Sequence, residues 1–167
     1  MKISDLLLGE FDHEMAVTRR TLDRIPDDKF SWKPHEKSMS LGRLAGHIAE
    51  IPGWLTVTLI KDSLDMAPGG VSTYKPPALE SRAEVLALFD KNVADGRETL
   101  QGFPDDKMDV KWSLLNNGKA IFTMPRAGVV RAFIVKHAVH HRAQMGVYLR
   151  MNNIPVPSVY GPSADES

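Results

Sequence analysis

There is no cysteine among the 167 residues of this chain. That absence excludes a disulfide framework, a thiolate zinc finger, an iron–sulfur cluster and a cysteine nucleophile. Net charge is absent too, since 21 lysines and arginines balance 21 aspartates and glutamates. A nucleic-acid binder ordinarily carries a basic excess or a basic face, so no nucleic-acid partner is expected. No apolar run approaches the ~20 residues a membrane helix needs, so no membrane partner is expected either. The opening Met1-Lys2-Ile3-Ser4-Asp5 lacks the apolar core of a secretory signal, which predicts a cytoplasmic protein. What remains is the composition of a soluble globule, 43% hydrophobic and 25% charged. The length suits a single domain spanning residues 1–167, large enough to bury roughly 70% of its unfolded surface.

Four stretches carry helical periodicity. In the first, Leu7, Phe11, Met15, Thr18, Leu22 and Ile25 recur at spacings of four and three. Ser4 reads as its N-cap and Pro26 as its stop. The second opens at Ser40 and places Leu41, Leu44, His47 or Ile48, Ile51, Leu55 and Leu59 on one side. Pro52-Gly53 predicts a kink there rather than an end, because the period resumes. A Pro/Gly-rich connector runs from Met66 to Leu79. Ser81-Arg82-Ala83-Glu84 then reads as a capping box ahead of Val85, Phe89, Val93, Gly96, Leu100 and Phe103. Val110 to Leu115 and Ala120 to Thr123 flank Asn116-Asn117-Gly118-Lys119 and read as a short β-hairpin. Thr123 and Pro125 read as the opening of a fourth helix through Val130, Ile134, His137, His141, Met145 and Tyr148, ending near Asn153. Four amphipathic helices that must each bury one face predict an all-α four-helix bundle with a small β-hairpin between helices three and four. A faint internal echo accompanies this pattern: Leu22 to Phe30 resembles Leu100 to Met108, and a tryptophan, Trp32 or Trp112, follows each.

Histidine carries the chemical signal. His137 and His141 are four apart and project from one helix face, between Ile134 and Met145 on the apolar stripe. A buried imidazole is costly unless its nitrogens are satisfied. A divalent metal is one way to satisfy them; ordinary core hydrogen bonds are the other. His47 also falls on the buried side of its helix, about two turns or ~10 Å from that helix's start. His141 is about three turns or ~15 Å short of the end of helix four. If that end lies beside the start of helix two, the three rings reach similar depth. Three imidazoles on a divalent ion leave at least one position open, the pattern of a catalytic rather than a closed structural site. His140 competes with His141 for the ligand role, but the stripe favours His141. His13 and His35 read as surface residues.

These residues resemble a known family. His137-Ala138-Val139-His140-His141-Arg142-Ala143-Gln144 resembles the H-x-x-x-H-R-x-Q signature of the DinB/YfiT-like metal-binding bundles. The segments from Ser40 to Glu50, from Ile25 to Trp32 and from Val156 to Gly161 resemble that family's second-helix motif, first loop and ending. Ala143 is a departure, at a position where the family often has glycine. The resemblance implies an up-down-down-up bundle and a frequent homodimer. It also implies a divalent ion, zinc or nickel foremost, on His47, His137 and His141. Relatives in the family include transferases and isomerases that use low-molecular-weight thiols.

A divalent ion lowers the pKa of a bound thiol or water. Since the chain has no cysteine, any thiol must arrive as a cosubstrate. The expectation is therefore a metal-dependent enzyme that transfers a low-molecular-weight thiol to an electrophilic small molecule. The alternatives are a metal-dependent hydrolase and a non-catalytic metal or small-ligand binding stress protein. Glu50, three residues after His47, reads as a general base or as a partner for a ligand's second nitrogen. Gln144, three after His141, reads as pocket lining or as a bond to the helix around it. Arg142 reads as a structural ion pair, and Trp32, Trp54 and Tyr160 as pocket wall or plain core.

Overall fold

The computed structural model describes residues 2–166. Helix α1 spans Ile3–Leu22, and its stripe of Leu7, Phe11, Met15, Thr18 and Leu22 is buried as the spacing requires. Its start differs from expectation. Ser4 lies inside the helix rather than capping it, and the cap residue Lys2 makes no side-chain cap bond. A distant carboxylate does the capping instead. Asp105 Oδ1 accepts from the Ser4 amide at 2.8 Å and from its hydroxyl at 3.1 Å. An anionic acceptor at the first turn satisfies a free amide and opposes the positive end of the helix dipole.

The same device recurs at α4, Arg82–Gln101, whose Arg82 amide donates to Asp27 Oδ1 at 2.6 Å. Asp27 and Asp105 each open a one-turn 3-10 segment, Asp27–Lys29 after α1 and Asp105–Lys107 after α4. Each turn thus closes the start of the other helix, so α1 and α4 run antiparallel. The echo in the sequence is this reciprocal pair of turns. At α4 the Ser81 hydroxyl accepts from the Glu84 amide as the capping box requires, but Glu84 Oε2 takes the amide of Glu80 rather than that of Ser81.

Helix α2, Leu41–Glu50, is capped by Ser40, which accepts from the Arg43 amide at 3.2 Å. Ile51 and Pro52 keep helical dihedrals into α3, Gly53–Ile60, so Pro52 kinks the run without ending it. Proline offers no amide there, and Trp54 and Leu55 donate back only three residues, to Ile51 and Pro52. Helix α4 packs on this break. Asn92 Nδ2 donates to the Ala49 carbonyl at 2.9 Å, and Gly96 admits the Pro52 carbonyl, which a Cβ would meet at 3.0 Å.

The chain is mostly helical with a three-stranded sheet, which corrects the expectation of an all-α chain carrying only a hairpin. Strands β2, Lys111–Asn116, and β3, Lys119–Pro125, form the hairpin around Asn117 and Gly118, both at positive φ. Strand β1, Ser63–Asp65, adds to it in parallel, pairing Ser63 with Ser113. Three half-exposed residues give too short a pattern to read as a strand, and Asp65 does the anchoring, accepting from the amides of Ala67, Asn117 and Gly118. Thr123 and Pro125 belong to β3, so the last helical run opens at Arg126 instead. That run consists of α5, Arg126–Val129, a π-helical turn, Val130–Val135, and α6, Lys136–Met151. Its C-terminal end lies beside the start of α2, because Tyr148 Oη donates to the Met39 carbonyl at 3.2 Å. Phe11, Leu44, Ile48, Phe89, Ile134 and Met145 meet in the shared core. Among the described residues no helix is long and apolar enough to cross a membrane.

Candidate metal centre

Three helical segments bring three imidazoles together. His47 comes from the last turn of α2, and His137 and His141 from the first turns of α6. One nitrogen of each lies within 4.8 Å of the others. His137 Nε2 is 3.1 Å from His47 Nε2 and 2.9 Å from His141 Nε2. The π-helical turn lies immediately before His137. Its extra residue per turn rephases the helix at the point where these rings must face α2.

Two of the rings are held from behind. His47 Nδ1 lies 2.6 Å from Glu50 Oε1, and His141 Nδ1 lies 2.7 Å from Gln144 Oε1. With an oxygen acceptor there, each ring carries its proton on Nδ1 and leaves a lone pair on Nε2. Glu50 and Gln144 are thus placed behind the imidazoles, and neither lines the adjoining cavity. Burial pushes the His137 pKa down to about 4, with His141 and His47 nearby adding to the effect. Burial also lowers that of His141.

This donor set fits a divalent cation. A single proton on His137 Nε2 can point at one neighbour at a time, so the trio by itself leaves a lone pair facing another nitrogen. Nitrogens at ~2.1 Å from one shared first-row ion lie about 3.0–3.4 Å apart, close to the separations seen. Three neutral imidazoles, two of them with Nδ1 held by an oxygen acceptor, are also the ligand type that zinc and nickel take.

The other histidines stay apart. His140 is exposed, beside the His141 ring but outside the cluster. His35 is exposed in its loop, and His13 is exposed and stacks on Tyr160. Arg142 forms a buried ion pair with Glu14 at 2.7 Å, and its Nη2 donates to Tyr160 Oη. Trp32 packs edge-on against Tyr148, while Trp54 packs beside both His47 and His137, with ring centroids 5.6 and 5.5 Å away.

From His47 and His137 a cavity of about 500 Å³ opens between α2, α3, the π-helical turn and the sheet. Its walls are mainly apolar, with Trp54, Trp112, Phe122, Phe133 and Ile134 among them. Two of its polar residues escaped the reading of the sequence. Arg43 is one turn before His47 on α2, a spacing that could have been noticed. Tyr74 comes from the aperiodic connector, where no pattern marks it. Tyr74 Oη donates to Glu50 Oε1 at 2.6 Å and accepts from Arg43 Nη2 at 2.9 Å, which ties the connector to the acceptor behind His47.

Comparison with known proteins agrees with this architecture. The chain is 24% identical over 165 residues to the uncharacterized protein YrdA of Bacillus subtilis, covering 97% of this chain and 90% of that one. A DinB-like protein from Bacillus cereus superposes with a TM-score of 0.71 at 23% identity, covering 92% of this chain and 95% of that one. The DinB-like protein YjoA of Bacillus subtilis superposes with a TM-score of 0.70 at 17% identity, covering 92% and 96%. The family model described as the DinB family matches residues 1–167, and the chain belongs to that family.

Proposed function

We infer that this protein is a divalent-metal-dependent enzyme that joins a low-molecular-weight thiol to an electrophilic small molecule. We take it as a single-domain, up-down-down-up four-helix bundle of DinB type that works in the cytoplasm as a homodimer. The observation that carries the reading is the convergence of His47, His137 and His141 Nε2 atoms at the edge of a roomy apolar cavity. A structural metal site is closed by its protein ligands, whereas this donor set borders space for a substrate.

His47, His137 and His141 would hold the ion, with zinc or nickel as the metals that best match three imidazoles. The ion supplies Lewis acidity that lowers the pKa of a thiol or water beside it. The chain's own residues do the rest. Glu50 and Gln144 fix the tautomer and orientation of His47 and His141 as positioning residues. Trp54, Phe122 and Phe133 exclude water from the electrophile. The thiol sulfur forms the new S–C bond, its proton passes to solvent, and the leaving group departs with the bonding pair. The thiol comes from outside, since the chain has none.

Metal analysis of tag-free protein tests the centre. About one ion per chain is expected in the wild type and none in the double variant His137→Ala, His141→Ala. Retention of metal in that variant would reject the ligand assignment. A conjugation screen of several thiols with a model electrophile, with and without zinc, nickel or manganese, tests the reaction. No metal-dependent turnover with any thiol would reject it.

A further inference from the structure

The cavity beside the histidines has charged residues in its wall but presents an almost entirely apolar surface. Those residues spend their polar groups on the protein. Asp65 accepts from three backbone amides, Arg43 Nη2 donates to Tyr74 Oη, and Tyr74 Oη donates to Glu50. Arg43 Nη1 and Trp112 Nε1 have no hydrogen-bond partner, yet both atoms are buried and are not presented to the space. The apolar side chains behave in the opposite way. Trp54, Val57, Leu114, Phe122 and Phe133 line the cavity and are only half-buried, so part of each stays outside the packed core. Two of the rings, Phe122 and Phe133, stack within 9° of parallel with centroids 4.3 Å apart.

Such a surface selects its occupant. An apolar space holds water poorly and takes apolar molecules in its place. A charged ligand would give up its hydration there and gain no hydrogen bond in return, which is costly. Arg43 and Asp65 carry opposite charges, so the wall favours neither anion nor cation. Aromatic walls gain more from an aromatic ring than from its buried area alone. A volume of about 500 Å³ suits an organic molecule of moderate size rather than a peptide or a nucleotide polymer. The thiols that cells use as cosubstrates carry charged groups, so the cavity matches the other reactant.

We propose that this cavity binds an uncharged aromatic molecule, and that the electrophile of the proposed reaction belongs to this class. Its aromatic body lies among Trp54, Leu114, Phe122 and Phe133, and its electrophilic carbon, which carries the leaving group, lies at the end lined by His47 and His137. The thiol sulfur bonds to that carbon, the leaving group takes the old bonding pair, and the thiol proton goes to solvent. The assignment of the electrophile rests on the metal-centre reading, whereas binding of the aromatic molecule in the cavity does not.

Fluorescence titration tests the binding with two probes that share the same aromatic groups and differ by one sulfonate. N-phenyl-1-naphthylamine is uncharged, and 8-anilinonaphthalene-1-sulfonate is its anionic counterpart. Each is titrated into zinc-loaded and EDTA-treated full-length protein, so that coordination of the sulfonate to an ion is recognised. In the EDTA-treated protein the uncharged probe should saturate one site per chain and bind about tenfold more tightly than the anion. Leu114→Trp fills the cavity from the sheet and Val57→Phe fills it from α3, and each should weaken the uncharged probe about tenfold. Circular dichroism shows which variants fold, and should neither fold, the comparison of the two probes on the wild type decides. Equal or tighter binding of the anion, no saturable site for the uncharged probe, or unchanged affinity in a folded variant overturns the proposal. For the reaction, benzyl chloride should exceed 4-(chloromethyl)benzoate about tenfold in kcat/KM, and equal values overturn the assignment of the electrophile. Zinc stoichiometry on the same samples separates the two readings. A cavity-dependent preference for the uncharged probe without zinc binding rejects the metal centre alone, and zinc binding without that preference rejects this inference alone.

Discussion

Glu50 Oε1 lies 2.6 Å from His47 Nδ1, one helical turn along α2, while the Nε2 of the same ring faces His137. The carboxylate thus orients the imidazole without standing on the side where an ion would bind. Loss of such a partner typically costs 10–100-fold in metal affinity. Glu50→Ala is expected to weaken zinc binding by roughly that factor, and Glu50→Gln by less, because the amide keeps an acceptor for Nδ1 but not the charge. Competition titration against a chromogenic zinc chelator measures this. Unchanged affinity in Glu50→Ala would mean that the contact does not position a ligand.

The state of His137 sets a pH dependence for the metal-free protein. Its pKa is held at about 4 in the fold, against 6.5 for an ordinary histidine. Between those values the unfolded chain binds a proton that the folded chain refuses. Stability therefore rises with pH across this window, is complete above about 6.5, and is lost as pH falls towards 4. His141, whose pKa is lowered by burial, adds in the same direction. Urea midpoints measured in EDTA from pH 4.5 to 7 should climb, and His137→Gln should flatten the climb. Equal slopes for the two proteins would show that His137 is not the group responsible.

The sequence shows the site better than it shows its surroundings. Helical period puts His47, His137 and His141 on inward faces, because each lies within an unbroken α-helical stretch, His47 in α2 and the other two in α6. The Asn-Gly pair marks its hairpin, since both residues must adopt positive φ. Other features depend on partners remote in sequence. The start of α1 is capped from Asp105, a hundred residues on, so a local rule selects Ser4 wrongly. Strand β1 exists because β2 offers it an edge, and Tyr74 reaches Glu50 from a segment without periodicity. The π-helical turn leaves no periodic signature, because one extra residue only shifts the phase of a stripe that was already broad.

Gly96 marks where α4 meets the break between α2 and α3. A Cβ there would lie 3.0 Å from the Pro52 carbonyl oxygen and 3.3 Å from Leu55 Cδ2. Alanine is the better helix former by about 1 kcal/mol, so an open site would be stabilised. Here the nearest atom is backbone at a kink and cannot swing away. Overpacking is expected to win, leaving Gly96→Ala about 1–2 kcal/mol less stable by urea denaturation. Because Asn92 on the same helix holds the Ala49 carbonyl, the shift should also reach α2 and lower zinc affinity slightly. A stabilised Gly96→Ala would show that the two helices can move apart freely.

Arg142 follows His141 directly but serves a different purpose. Its side chain is 4% exposed and pairs with Glu14 at 2.7 Å, while Nη1 also donates to the Glu14 carbonyl and Thr18 Oγ1. Tyr160 Oη completes the cluster by donating to Glu14 and accepting from Arg142, which fastens the C-terminal segment across α1 and α6. Removing one member of a buried pair strands the other charge, at a cost of about 3–5 kcal/mol. Arg142→Met is expected to lie in that range by urea denaturation. Adding Glu14→Gln should recover part of the loss, since the double variant has no stranded carboxylate. Zinc stoichiometry should stay near one ion per folded chain in both, because His141 is held through Gln144 and not through Arg142. Loss of metal from folded Arg142→Met would instead place the arginine among the groups that orient the centre.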